Sequence, residues 1–364
     1  MQRIGQKTGK LIRAGLFVGS LVAASGVAQL GALAGEFDGV TLRVGTWGGS
    51  WKANMEELIV PKFEAMGGKI EFVTGSPQAN LAKVITGRGK APFDLMEILD
   101  AQVGDVMESG YLQKVDLDKI PNKQHVEAYQ YNDDMVGSWH TQEVICYHVD
   151  KFAEMGIPVP TTYKDLVRPE LVGKLSFPDI NSGGGLANFT AINIAAGGDR
   201  DNVKPGLELI NDMQVLKFWS RGGETLAQFQ SGDIVAAVSN GGWCLRTRKA
   251  GVNVDAVHPD LGNGNVGVAK VGWLGIMASA EDKNVEAAHW FINEYLEEDF
   301  QLLFATKSGI IPINKGAIKR MADDEVVRDI LVLDEAKIAN ELRFDYSGVN
   351  LSNWTDQWNR MVAQ

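Results

Sequence analysis

The sequence predicts an α/β protein of two domains with mostly parallel strands. A short β-rich run, a Gly/Ser/Asn-rich loop and an amphipathic helix recur along the chain, the pattern that lays parallel strands against flanking helices. Its 364 residues exceed what a single hydrophobic core normally organises. With 45% apolar and 22% charged residues, the composition is that of an ordinary globular protein, neither disordered nor collagen-like.

Residues 1–34 stand apart from this pattern. Arg3, Lys7, Lys10 and Arg13 make a basic, acid-free start, residues 14–34 are small and apolar, and Ala32-Leu33-Ala34 supplies a small-x-small cleavage signal before Gly35. This predicts a cleavable signal peptide; the Ser, Gly and Gln within the stretch argue against a membrane anchor. No later stretch is long and apolar enough to span a bilayer. The expectation is a periplasmic monomer that is not embedded in the membrane.

From Gly35 onward the recurring unit can be placed in order. Residues 41–44 form the first strand and residues 45–51 a loop carrying Trp47 and Trp51. Residues 55–66 form a helix with Leu58, Ile59 and Phe63 on one face. Residues 69–73 are the second strand and 74–77 its loop; residues 81–86 fall in the next helix, and residues 93–98 form a third, buried strand. A new series begins at 144–149, with further strands at 175–177 and 233–238. Two of its loops are rich in glycine. Asn181-Ser182-Gly183-Gly184-Gly185 opens a helix over 186–196, and Asn240-Gly241-Gly242 opens one over 243–250. Such loops let a ligand approach the backbone, and free amides together with the helix dipole favour an anionic group. A tight strand-to-helix turn without a ligand is the alternative for any one of them.

Charge and motifs narrow the function classes. A formal net charge of −11 argues against a nucleic-acid or anionic-membrane binder, since those partners need basic faces. The five histidines form no His-x-x-x-His pair and there is no Cys-x-x-Cys, so no metal site is predicted. A Gly-x-Ser-x-Gly elbow, a phosphate loop, a His-Glu-x-x-His helix and a dinucleotide fingerprint are all missing. No catalytic residue and no cofactor is predicted, and a binding protein is preferred to an enzyme. Cys146 and Cys244 pair in an oxidising compartment if their strands are neighbours; buried free thiols are the alternative.

Several segments together point to a family. Residues 42–51, Pro92-Phe93-Asp94-Leu95, residues 108–116, Pro160-Thr161-Thr162-Tyr163, Ser231-Gly232-Asp233-Ile234 and Ile311-Pro312-Ile313-Asn314 follow one another in an order that resembles the type II periplasmic solute-binding proteins of ABC importers. The likeness covers essentially the whole chain beyond residue 34 and is nearest to the branch of the spermidine and putrescine receptors. It implies two α/β lobes that close on a small solute between them and deliver it to a permease in the membrane. Lobe one is expected over residues 36–141 and 273–315, lobe two over 142–272 and 316–364.

The resemblance also implies a ligand set. Trp47 and Trp51 correspond to the loop that stacks on amines in the polyamine receptors, with Trp243 and Trp273 near the facing aromatics. Asp179 matches one cleft carboxylate of those receptors, and Asp100, ending the third strand, is a second candidate. Other expected acids are absent: Gly183–Gly185 occupy one position and Leu274 another. A polyamine would lose partners for its charges. Arg221 and Arg246 lie near the glycine loops, and with Ser182, Gly183 and Asn240 they suit a carboxylate. The preferred solute is therefore amino-acid-like, such as a short ω-amino acid, ahead of a polyamine. A phosphonate, thiamine or a sugar phosphate is the alternative, followed by a secreted enzyme on the same fold.

Overall fold

β1 (Thr41–Thr46) contains the first expected strand, residues 41–44, and runs two residues further. In the computed structural model, which describes residues 35–362, Leu42 and Val44 are buried and Arg43 is exposed. The predicted signal peptide lies outside the described residues. β2 (Lys69–Thr74) and β3 (Leu95–Leu99) flank β1, both parallel to it, and every residue of β3 is buried, as a strand covered on both faces requires. The remaining strands are β4 (Met135–His148), β5 (Leu175–Pro178), β6 (Lys217–Trp219), β7 (Ala236–Asn240), β8 (Val254–Val257) and β9 (Val268–Ile276). Among the described residues they form one sheet in the order β2-β1-β3-β9-β4-β7-β5-β6, with β8 paired to β4 outside this row.

The sheet is mixed rather than mostly parallel. Parallel pairs occur within each half, β1 with β2 and β3 on one side, β5 with β6 and β7 on the other. Every pair that involves β4 or β9 is antiparallel. These two strands lie side by side through the middle and join the halves, giving the two-lobed α/β fold. Thirteen of the fourteen residues of β4 are buried, including Ser138, His140, Thr141, Gln142 and Glu143. That polar run conceals the strand from a hydrophobicity reading, which begins it at Val144, nine residues late.

The helix expected over residues 55–66 is two, Ser50–Leu58 and Val60–Glu64, because Pro61 lacks the amide to continue the first. One large core surrounds β1 and takes in Phe63, Phe291, Phe300 and Phe304; a second surrounds β5. Trp354 and Trp358, one turn apart on the helix Leu351–Met361, both meet the Phe189 ring edge-on at 5.6 Å in that second core. Cys146 on β4 and Cys244 on the helix Gly241–Lys249 are disulfide-bonded, with Cα atoms 5.7 Å apart. Pairing of β4 with β7 brings them together, because that helix follows β7 directly. Among the described residues no helix is long and apolar enough to cross a membrane.

Candidate functional site

The loops that leave the carboxyl ends of β1, β5, β6 and β7 converge on one crevice, as ligand-binding loops do in open α/β sheets. Two adjoining chambers open there, of about 720 and 740 Å³. They share Trp47, Gly183, Ser220, Arg221 and Lys270, which form a waist between them.

The first chamber is aromatic. Trp47, Trp51 and Trp139 pack edge-on or tilted, their ring centroids 5.0 to 5.8 Å apart, and Trp219 and Trp243 face them from the other lobe. Behind this wall the buried Glu97 accepts hydrogen bonds from Thr46 Oγ1 at 2.6 Å, Trp51 Nε1 at 2.9 Å and Trp139 Nε1 at 3.3 Å. Burial raises its carboxyl to about 6 despite these donors. Asn240 and Arg246 also line this chamber, and the Asn240 side chain caps the following helix by accepting from the Gly242 amide at 2.8 Å.

The second chamber is polar. Asp100 and Ser182 line it. Asp100 accepts from the amides of Ala101 at 2.8 Å and Val271 at 3.1 Å; desolvation lifts its carboxyl to about 6, with Lys270 nearby opposing the rise. Ser182 Oγ is buried and has no protein partner.

Nine of the predicted site residues thus meet in the crevice, and two do not. Asp179 lies outside both chambers, and its carboxylate is engaged by Asn181, accepting from the backbone amide at 2.8 Å and the side-chain amide at 3.1 Å. Trp273 also lies outside them, packed against a smaller third cluster that contains Leu81, Val84 and Phe93. Its place on β9, opposite Ile98, points it away from the crevice.

Other residues emerge only from the fold. Trp139, Thr141 and Glu143 occupy alternate positions of β4 on the crevice side, whereas Ser138, His140 and Gln142 face the opposite way. Glu143 supports the glycine loop, accepting from Asn188 Nδ2 at 2.7 Å, with Gly184 packed against it. Lys270, on β9, donates to the carbonyl of Gly183 at 2.5 Å and places its ammonium 5.8 Å from the centre of the Trp139 ring. The period-2 spacing of Trp139, Thr141 and Glu143 was the available signal, but it requires β4 to be recognised as a strand.

The charges of the crevice favour an anionic group. Lys270, Arg221 and Arg246 line it against one acidic side chain at the chamber walls, Asp100, among the described residues, while Glu143 is buried beneath the glycine loop. Arg246 stacks its guanidinium 4.4 Å from the Trp243 ring and donates to the Ser308 carbonyl at 2.6 Å, so the face of Trp243 already holds a cation of the protein itself. The helices Ser50–Leu58 and Gly185–Ala196 begin at the crevice with no side-chain cap and no acid in their first turns. The amides of Gly183 and Gly184 make no hydrogen bond within the described residues. Uncapped helix amides and glycine loops of this kind accept carboxylates and phosphates. No cluster able to hold a metal ion occurs among the described residues.

The model of the bacterial extracellular solute-binding protein family matches residues 59–332. Among solved structures the chain is similar to an ABC transporter structure from Clostridium perfringens, with 23% identity and a TM-score of 0.71 over 88% of this chain and 99% of that one. It is similar to a GABA receptor at 18% identity and a TM-score of 0.70, covering 87% and 96% of the two chains. A Listeria monocytogenes protein described as a spermidine/putrescine ABC transporter gives 19%, 0.68, 87% and 97% for the same quantities. No curated protein matches the sequence at a significant level. With the family model covering most of its length and loops from both lobes meeting over one crevice, the chain belongs to the bacterial extracellular solute-binding proteins.

Proposed function

We propose that the protein captures a compact amino-acid-like zwitterion, such as a short ω-amino acid, after export by its signal peptide, and presents it to a membrane permease by hinge closure. The waist between the chambers carries the reading. There Arg221 and Lys270 stand beside the unpartnered amides of Gly183 and Gly184, a setting for a carboxylate. Asp100, in the polar chamber beyond, suits the amine at the other end. Likeness to a GABA receptor is in keeping with this charge pattern. A polyamine needs several carboxylates facing the crevice, and a phosphonate or sugar phosphate would use the waist but leave Asp100 unpaired. The lobes proposed are residues 36–141 with 273–315 and 142–272 with 316–364, hinged where β4 and β9 cross.

A thermal-shift and calorimetric screen of residues 35–364 against γ-aminobutyrate, putrescine, spermidine, thiamine and a phosphonate tests this, since a ligand specific to the folded state raises the midpoint. A zwitterion is expected to raise it, and Lys270→Gln to weaken that zwitterion by roughly 10- to 100-fold, the scale of one lost charge-assisted contact. A shift with polyamines alone, or full affinity in Lys270→Gln, overturns the reading.

A further inference from the structure

Glu97 lines neither chamber, yet it is joined to the crevice through the indoles that form its wall. Its side chain is 2% exposed and receives donors from four elements: Thr46 on β1, Trp51 on the helix Ser50–Leu58, Trp139 on β4 and Tyr295 on the helix Asp282–Tyr295. Two of these donors are the N–H groups of wall tryptophans. The Trp139 ring meets Glu97 through its N–H edge and the Lys270 ammonium across its face. A carboxylate accepting from the indole N–H increases the electron density of that ring, and a richer ring attracts a cation more strongly. Lys270 in turn holds the Gly183 carbonyl at the waist.

We infer that Glu97 is a positioning residue of the solute site, fixing Trp51 and Trp139 from behind and, through the Trp139 ring, holding the Lys270 ammonium at the waist. The inference rests on the proposed role of Lys270 in receiving the solute. Charge on Glu97 is the operative property: an ionised carboxylate accepts from both indoles, whereas a protonated one gives up part of that capacity to its own hydrogen. Of the groups that face it from the four elements, only Tyr295 is titratable, and burial holds its phenol neutral well above its ordinary value. Because the Glu97 carboxyl is raised by burial to about 6, the wall loosens as pH falls through that value.

The test needs no solute, so its failure is separable from failure of the ω-amino-acid reading. In residues 35–364 without ligand, tryptophan fluorescence is expected to show a transition near pH 6 that Glu97→Gln abolishes while the protein remains folded. Acetylation of Lys270 by acetic anhydride at pH 7.5, read by mass spectrometry, is expected to be at least threefold faster in Glu97→Gln. Should that variant fail to fold, Trp139→Phe keeps an aromatic ring but removes the N–H, and it is expected to speed Lys270 labelling likewise. Unchanged labelling in the folded variant tested, or a fluorescence transition that persists in Glu97→Gln, overturns the inference.

Discussion

Glu341 and His140 show how far single residues depart from their ordinary chemistry in this fold. They face each other at 3.7 Å behind β4, each almost fully buried. Burial raises the Glu341 carboxyl to about 8 and lowers the His140 imidazole to about 3, so both are neutral at pH 7 rather than an ion pair. The folded state keeps a proton on Glu341 that the unfolded chain releases near its ordinary value, so this residue lowers stability progressively as pH rises toward 8. His140 acts in the opposite direction, but only below its unfolded value of about 6.5. Between pH 6.5 and 8 the Glu341 effect is therefore unopposed by His140. Thermal stability is expected to fall over that window by about 2 kcal/mol, and Glu341→Gln to remove the fall in melting curves recorded at several pH values. An unchanged slope in the variant would show that Glu341 ionises normally. Neither residue was distinguishable in the sequence, because desolvation is a property of what packs around a side chain.

At the level of elements, the glycine loops were legible and the crossing strands were not. Asn181–Gly185 and Asn240–Gly242 carry their backbone demands in their composition. A Cβ on Gly185 would lie 1.9 Å from the Asp179 carbonyl oxygen, so only glycine fits there. β4 and β9 mix Ser, His, Thr, Gln, Glu and Lys with apolar residues, and those of β4 are buried only by what packs on the strand in the folded chain, Glu341 behind His140 and Gln142 among it. The disulfide belongs to this scale as well. It ties β4 to the helix after β7 across a sequence separation of 98 residues. Closing a loop of that length restricts the unfolded chain, so the double variant Cys146→Ser/Cys244→Ser is expected to lose about 4 kcal/mol in denaturant unfolding. A loss below 1 kcal/mol would mean that the unfolded chain is already compact in this region.

For the whole molecule, two halves joined by β4 and β9 make relative lobe motion the natural response to a solute that touches both. Trp47 and Asp100 come from one half, Arg221 and Gly183 from the other. A saturating solute is expected to reduce the radius of gyration in small-angle scattering, and an unchanged value with bound solute would exclude closure. The sequence by itself determined the α/β class, the order of the recurring units, the glycine loops and most of the crevice residues, including the tryptophans of the first loop. The class, the units and the loops follow from local periodicity and turn chemistry, which short stretches of chain carry on their own, and the crevice residues follow from the family resemblance of those stretches. Tertiary structure alone decided that the sheet is mixed, that Cys146 meets Cys244, that Asp179 and Trp273 lie outside the crevice, and that Lys270 and Trp139 enter it. Each of these depends on strand pairing between residues far apart in the chain, and pairing of that kind is set by how the whole sheet assembles rather than by the residues on either strand.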